Sequence, residues 1–190
     1  MCYDYSIIEK LLPSKIRNSR DRPNVSGADK KFCDDRDLDY NGRHKSRLIK
    51  GRPMKRISYG NVCQSITFGL TRNLMCKTKG TDPIPCRANR DYPELYKEML
   101  NMMTIIAPNH KFNSITLNHN FKCHPHYDAF NKSPSVIVGL GDYAGGECVV
   151  EGCAIDIKHN PLCFNGSKMR HWTNNFCGER WSMVFYMKFS

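Results

Sequence analysis

The sequence contains no Cys-x-x-Cys pair, although ten of its 190 residues are cysteine. Zinc fingers and thioredoxin-type redox motifs depend on that spacing, so both classes of site are excluded. The first residues lack a basic region followed by a long apolar run, so they do not form a secretory signal. We therefore expect reduced thiols and an intracellular protein, in the cytoplasm or the nucleus.

Long hydrophobic runs are also missing. No segment approaches the roughly 18 consecutive apolar residues of a transmembrane helix, which predicts no membrane partner. Hydrophobic residues nevertheless make up 40% of the chain and aromatic residues 11%, which argues against general disorder. The length of 190 residues corresponds to one domain, or to one domain with an arm.

Acidic residues are outnumbered by basic ones. The chain has 29 Lys and Arg against 18 Asp and Glu, and seven of the basic residues lie in the acid-free segment 43–56. A field of that sign attracts polyanions, so nucleic acid is the predicted partner. An arm that only keeps the chain soluble is the alternative.

Composition divides the chain into two parts. Residues 1–58 are predicted to form a basic, loop-rich N-terminal arm, which begins with a short helix within 3–12. Residues 59–190 are predicted to form the domain proper, starting with a strand within 62–70.

A support helix is predicted near 91–106. Its apolar residues recur at helical spacing and Pro108 ends the pattern. Asp91 and Glu94 have the spacing of a capping box, which predicts that Asp91 caps the first turn.

After Pro108 the sequence changes to short runs rich in Ile, Val, Phe and Tyr, separated by Gly, Asn, Asp and Pro. These runs predict strands within 112–121, 134–140, 147–151, 153–157, 161–164 and 181–189. The pattern is typical of a sandwich or a jelly roll. The predicted fold class is therefore mostly β with N-terminal helices.

One pair of residues points to metal chemistry. His126 and Asp128 are two residues apart, so on a strand both side chains face the same way. With His171 they provide two imidazoles and one carboxylate, the facial triad of non-haem Fe(II) oxygenases. His124 is a weaker alternative ligand, and zinc is expected to occupy the same ligands only as a misloaded form.

A second pair suits an organic anion. Arg180 and Ser182 share a face of the last predicted strand. A guanidinium group binds a carboxylate through two parallel hydrogen bonds, and a hydroxyl group adds a third. This arrangement fits the distal carboxylate of 2-oxoglutarate, whose keto-acid end would chelate iron.

These motifs together resemble the 2-oxoglutarate- and Fe(II)-dependent dioxygenases over about residues 114–188. The resemblance is carried by His-Tyr-Asp at 126–128, Val-Gly-Leu-Gly-Asp-Tyr-Ala-Gly-Gly-Glu-Cys at 138–148, His171, and Arg-Trp-Ser-Met-Val-Phe-Tyr at 180–186. The Gly-Asp-Tyr-x-Gly-Gly-Glu segment is most similar to the Tet/J-binding-protein branch, which oxidises methyl groups on thymine or 5-methylcytosine.

The resemblance implies a double-stranded β-helix core of the jelly-roll, cupin-like type. It implies three iron ligands: His126, Asp128 and His171. It also implies three residues that bind 2-oxoglutarate: Arg180, Ser182 and Asn118. Molecular oxygen is the other cosubstrate, and ascorbate is a candidate reductant. The implied reaction hydroxylates a C–H bond on a nucleic-acid base and releases succinate and carbon dioxide. A methyl group is the favoured target.

Four further residues are predicted to contact the substrate: Arg87, Arg90, Tyr127 and Trp172. The arginines form a small basic cluster, and the aromatic rings are candidates for stacking on a base. A peptidyl hydroxylase of the same superfamily is the alternative function. A sensor that binds iron and 2-oxoglutarate without turning over a substrate is a third. The sequence leaves DNA, RNA and protein open as substrates.

Overall fold

The computed structural model describes residues 2–14, 16, 48–49, 52–53, 64–71 and 82–189. Most of the predicted arm lies outside these residues, including most of the basic segment 43–56. The described residues form three helices: α1 (Tyr5–Glu9), α2 (Arg87–Asp91) and α3 (Pro93–Ile106). They also form thirteen strands: β1 (Leu48–Ile49), β2 (Arg52–Pro53), β3 (Gln64–Thr71), β4 (Ile84–Pro85), β5 (Ser114–His119), β6 (Ser135–Leu140), β7 (Tyr143–Gly145), β8 (Cys148–Val150), β9 (Cys153–Ile155), β10 (Leu162–Phe164), β11 (His171–Thr173), β12 (Phe176–Gly178) and β13 (Trp181–Tyr186).

The principal sheet has the strand order β10-β6-β13-β5-β3-β4, and its pairs are antiparallel. The antiparallel strands β11-β8-β9 and the pair β12-β7 form two smaller sheets. The predicted mostly β fold class is confirmed. The strands β7, β11 and β12 were not predicted, because none of them contains the Ile or Val residues on which the strand predictions rested.

The two faces of the principal sheet have different roles. A core cluster on the helix side contains alternate residues of three strands: Ile115, Leu117, Val136, Val138, Leu140, Trp181, Met183 and Phe185. The intervening residues Thr116, Asn118 and Ser182 line a cavity on the opposite face. This alternation follows from the period of two in a strand. One face therefore provides the core, while the other faces the candidate site.

The predicted support helix is present as α3, but its predicted cap is wrong. The helix begins at Pro93, and its N-cap residue Tyr92 makes no side-chain capping hydrogen bond. Asp91 instead ends α2 and pairs with Arg87, with Nε and Oδ2 3.1 Å apart. Proline fits the first helical position because its missing N–H needs no partner there. No helix in the described part of the chain is long and apolar enough to cross a membrane.

The short helix α1 packs against the domain. Ile8 is buried in the core with the sheet residues, and Tyr5 stacks on the His159 ring at 4.7 Å. Glu9 accepts a hydrogen bond from the Gly141 amide at 2.8 Å and lies 2.7 Å from His159 Nε2. The predicted arm 1–58 therefore includes a segment that contributes to the core.

Candidate metal centre

Three side chains converge beside the principal sheet: His126, Asp128 and His171. One ligand atom from each lies within 4.8 Å of the others. Nε2 of His126 is 3.7 Å from Asp128 Oδ1, and Nε2 of His171 is 3.6 Å from Asp128 Oδ2. His126 lies in the connection after β5 rather than in a named strand. An isolated antiparallel bridge nevertheless pairs it with His171, the first residue of β11.

Both imidazoles are oriented by main-chain carbonyl groups. Nδ1 of His126 is 2.6 Å from the His124 carbonyl oxygen, and Nδ1 of His171 is 2.9 Å from that of Met169. A carbonyl oxygen only accepts hydrogen bonds, so each Nδ1 atom carries a proton and donates it. In a neutral imidazole the lone pair is then on Nε2, the atom that faces Asp128. This is the usual orientation of histidines that ligate metals.

Asp128 is held by two residues that the sequence analysis missed. Its amide donates to the Gly166 carbonyl at 2.8 Å, and its Oδ2 accepts from Asn131 Nδ2 at 3.3 Å. A Cβ atom on Gly166 would lie 3.2 Å from both Asp128 Oδ2 and His171 Cε1. A side chain at position 166 would therefore crowd two of the three triad residues. No spacing motif marks Asn131 or Gly166, because their roles arise from tertiary contacts.

The triad lines a cavity of about 290 Å³. Phe164 closes one side, with its ring 4.8 Å from that of His171 in an edge-on arrangement. Two aromatic residues of the connection between β5 and β6 are strongly exposed: Tyr127 at 54% and Phe130 at 78%. Both line the cavity, which therefore has flat apolar groups where it meets solvent.

Asn118 and Ser182 form a polar pair in this cavity. They lie opposite each other on β5 and β13, with Asn118 Nδ2 3.4 Å from Ser182 Oγ. Asn118 Oδ1 is buried and forms no hydrogen bond within the described part of the protein. A half-turn of the amide would present Nδ2 at that position instead. The pair therefore offers hydrogen-bonding capacity to a ligand, since leaving such a group unsatisfied is costly.

Arg180 is a buried cation, only 1% exposed. Its Nε donates to the Gly146 carbonyl at 3.2 Å, and its Cζ lies over the rings of Tyr143 and Phe176 at 5.4 and 5.5 Å. None of the ion pairs between described residues includes Arg180. Its side chain does not line the cavity, whereas Ser182 does. Because a buried charge without a counter-charge is costly, an anionic ligand would stabilise this guanidinium group.

The titratable groups nearest to Arg180 do not neutralise it. Burial raises the pKa of the Cys148 thiol to about 11, although the positive charge of Arg180 acts in the opposite direction. Burial likewise raises the pKa of the Tyr143 hydroxyl, again against the charge of Arg180. Both groups are therefore protonated at neutral pH, and the counter-charge must come from elsewhere.

The predicted substrate contacts divide into two groups. Tyr127 and Trp172 line the cavity, whereas Arg87 and Arg90 do not. The two arginines lie on α2, whose residue Ala88 is buried in the core on the helix side of the sheet. The structure therefore does not bring them to the triad. The sequence alone did not indicate whether this basic cluster lies on the helix side or on the cavity side of the principal sheet.

Comparison with protein-family models gave no match, and comparison with curated proteins gave none. Among solved structures, NgTET1 in complex with 5mC DNA is 13% identical, with a TM-score of 0.48 over 65% of this chain and 60% of that chain. A 2OG-Fe(II) oxygenase-family oxidoreductase from Burkholderia pseudomallei is 18% identical, with a TM-score of 0.44 over 66% and 68% of the two chains. OsALKBH1 is 14% identical, with a TM-score of 0.39 over 66% and 78%.

This likeness is one of partial backbone shape at low sequence identity. The chain spans only 60% of the NgTET1 chain that it matches. The chemistry of the site therefore has to be argued from its own residues.

Proposed function

We propose that this protein is an Fe(II)- and 2-oxoglutarate-dependent dioxygenase. It hydroxylates a C–H bond on a nucleic-acid base, and a methyl group is the favoured target. The triad geometry carries the proposal. Two imidazole Nε2 atoms with available lone pairs face one carboxylate at the wall of a cavity. Three such ligands on one side of an octahedral ion leave three positions for cosubstrates.

The strand order supports a double-stranded β-helix around this site. Strands β10-β6-β13-β5 provide one four-stranded wall. Strands β9-β8-β11 provide three members of the facing wall, and the His126–His171 bridge adds the fourth. The three metal ligands then belong to the second wall and its connections, while Arg180 precedes β13 of the first wall. Ligands in jelly-roll proteins bind between two such walls.

Arg180, Ser182 and Asn118 are proposed to hold 2-oxoglutarate. The guanidinium group lacks a counter-charge among the described residues, and the Asn118–Ser182 pair is not fully hydrogen-bonded. A dicarboxylate with one carboxylate at Arg180 and its other end in the cavity would meet both requirements. When bound, iron and 2-oxoglutarate supply oxygen activation with release of succinate and carbon dioxide, and ascorbate keeps the metal reduced. The protein residues position the target, and apolar residues such as Ile137 and Phe164 exclude water.

A nucleic-acid substrate is supported by charge and by exposed rings. The chain has a net charge of +11, which attracts a polyanion. Tyr127 and Phe130 present flat apolar surfaces at the cavity, and bases stack on such surfaces regardless of sequence. A base within a duplex is out of reach of a buried metal, so the target nucleotide has to be extruded or single-stranded.

The test is a product assay on mixed substrates. Fe(II)-loaded protein is incubated with 2-oxoglutarate, ascorbate and pooled methylated DNA and RNA, and the digested nucleosides are analysed by mass spectrometry. We expect a nucleoside that has gained one oxygen or lost a methyl group, with matching succinate. Succinate without an altered nucleoside would overturn the nucleic-acid substrate and direct the search to protein side chains. No succinate above that of a His171→Ala control, with any substrate, would overturn the dioxygenase.

A further inference from the structure

We propose that a groove beside the metal cavity binds the nucleotide that neighbours the reacting one in a single-stranded nucleic acid. The groove has a volume of about 240 Å³, and its two walls are residues 122–125 and 172–175. The inference rests on the proposed function, because it specifies how that substrate is held.

Contacts from both sides hold the groove together. The Thr173 amide donates to the Cys123 carbonyl at 3.0 Å, which joins the two walls through their main chains. Lys122 Nζ donates to Asn175 Oδ1 across the groove. Asn174 is fixed from behind, since its Nδ2 donates to Glu147 Oε2 at 3.1 Å. The groove is therefore a preformed feature, which lowers the entropic cost of binding a ligand.

The groove is continuous with the metal cavity. Cys123, Trp172 and Thr173 line both spaces. Trp172 directly follows His171 of the triad, is only partly buried and lines both spaces. A polymer whose reacting unit enters the cavity therefore places its next unit against this indole. Base–aromatic stacking of this kind stabilises single-strand complexes by about 1–3 kcal/mol per base.

The polar groups of the groove suit a phosphodiester. Lys122 is exposed and provides a positive charge beside the Asn175 amide. Among the described residues that line the groove none is acidic, and the Glu147 carboxylate behind Asn174 accepts from its amide. An acidic peptide would also meet the lysine, but its carboxylates offer no ring for Trp172. The combination of a cation with an adjacent indole therefore favours a nucleotide over a peptide.

The arrangement also favours single strands. Trp172 lines both the cavity and the groove, so in this proposal two successive bases lie on either side of its indole and have to part. Neighbouring bases in a duplex remain stacked and paired, and separating them costs a few kcal/mol. A single strand meets this requirement at a lower cost.

The contact between a base and Trp172 can be measured by tryptophan fluorescence. The chain has two tryptophans, of which Trp181 is buried in the core on the helix side of the sheet. We would load the protein with Fe(II) and 2-oxoglutarate under anaerobic conditions and titrate it with oligothymidylate. We expect the fluorescence of the wild type to be quenched on binding. In Trp172→Phe the remaining Trp181 signal is expected to stay constant.

Substitutions of Lys122 in the groove and of Lys97 on α3 test whether the positive charge of the groove binds a phosphate. Lys122→Gln is expected to weaken binding about threefold to tenfold at low salt, and to reduce the slope of log affinity against log salt by about 0.7, the value for one phosphate contact on a single strand. Lys97→Gln on α3 removes the same charge from the helix side of the sheet and is the matched control, with no change expected. Lys122→Arg is expected to restore the slope.

The outcomes separate this inference from the proposed function. If Lys122→Gln binds as the wild type does, and quenching does not depend on Trp172, the groove is not the site. An oxidised nucleoside in the wild-type product assay would then leave the proposed function intact. Tighter binding of a duplex than of a single strand would also overturn the inference. If an acidic peptide is hydroxylated and no nucleoside is altered, both proposals fail.

Discussion

Nδ1 of His171 lies 2.9 Å from the carbonyl oxygen of Met169, two residues earlier in the chain. His126 has the same relationship to the carbonyl oxygen of His124. Because each imidazole is oriented by its own main chain, no side-chain substitution removes the orienting acceptor. The direction of both Nε2 atoms is therefore a property of the local backbone, and the metal site depends on keeping that backbone in place.

His171→Ala is expected to lower the affinity for Fe(II) by more than about a hundredfold, since one of three ligands is lost and even changes around ligands cost ten- to a hundredfold. Equilibrium titration of the metal-free protein with Fe(II) under anaerobic conditions measures this directly. His159→Ala is the control, because His159 pairs with Glu9 outside the metal cluster. Equal affinities of His171→Ala and wild type would refute the assignment.

Gly166→Ala is expected to lower the affinity for Fe(II) about tenfold, because the new Cβ would crowd Asp128 Oδ2 and His171 Cε1 at 3.2 Å. The same titration measures it.

Gly152→Ala is the control for a glycine change. A Cβ there meets no atom within 4 Å, but the residue has a φ of +88°. We expect it to lose about 1 kcal/mol of stability through backbone strain and to keep the metal affinity. If both variants kept that affinity, the close packing at Gly166 would not matter for the site.

Arg180→Lys is expected to weaken 2-oxoglutarate binding about tenfold or more, since an ammonium group does not reproduce the two parallel hydrogen bonds of a guanidinium group. A ligand that binds only the native state raises Tm, so 2-oxoglutarate should stabilise the Fe(II)-loaded wild type more than the variant. Thermal unfolding with and without 2-oxoglutarate tests this. Equal shifts of Tm would show that another residue binds the distal carboxylate.

Glu9 is expected to make the attachment of α1 dependent on pH. Burial by itself raises the pKa of this carboxyl, but the hydrogen bonds from the Gly141 amide and His159, with the nearby positive charges, hold the pKa below its ordinary value. A carboxyl with a lowered folded-state pKa stabilises the fold above its unfolded pKa, and this stability is lost as the pH falls through the folded pKa.

Glu9→Ala should therefore cost about 1–2 kcal/mol at neutral pH, and progressively less as the pH falls further below about 4. Urea unfolding of both proteins at the two pH values measures the difference. A cost that does not change with pH would contradict the role of the charge.

Cys148 is expected to resist alkylation at neutral pH, although it lines the cavity. Its thiol has a pKa raised to about 11, and only the thiolate reacts quickly. Mass spectrometry of the protein treated with iodoacetamide should show the exposed Cys153 and Cys177 modified well before Cys148. Equally fast labelling of all three would mean that the cavity admits the reagent and that the thiol ionises there.

The main features of the site followed from residue types and spacing. The sequence predicted a mostly β chain and support helix, and it singled out three residues that the structure brings together: His126, Asp128 and His171. The helical stripe of the support helix and the period of two in the long strands are imposed by local geometry. His126 and Asp128 lie in the connection after β5, so it was their residue types as a ligand set, and not a strand period, that marked them correctly.

What the sequence did not reveal depends on long-range contacts. Gly166 approaches the triad only because the chain returns to it after β10, and no local pattern signals that. The structure does not bring Arg87 and Arg90 to the triad, and a cluster of charges in the sequence does not indicate the layer in which it lies. Because the neighbouring Ala88 is buried in the core, α2 lies on the helix side of the principal sheet.

Neighbouring residues of β13 face the core and the cavity in turn, so they act on two different properties of the protein. Met183 is buried in the core, so its substitution is expected to change the stability of the fold. Ser182 faces the cavity, so its substitution is expected to change ligand binding. The two properties can therefore be changed independently at neighbouring positions. A one-residue shift in the register of β13 would exchange the two roles, because it would turn Met183 towards the cavity and Ser182 towards the core. The register of β13, and therefore its number of residues, has to be kept for the core and the cavity to keep their side chains.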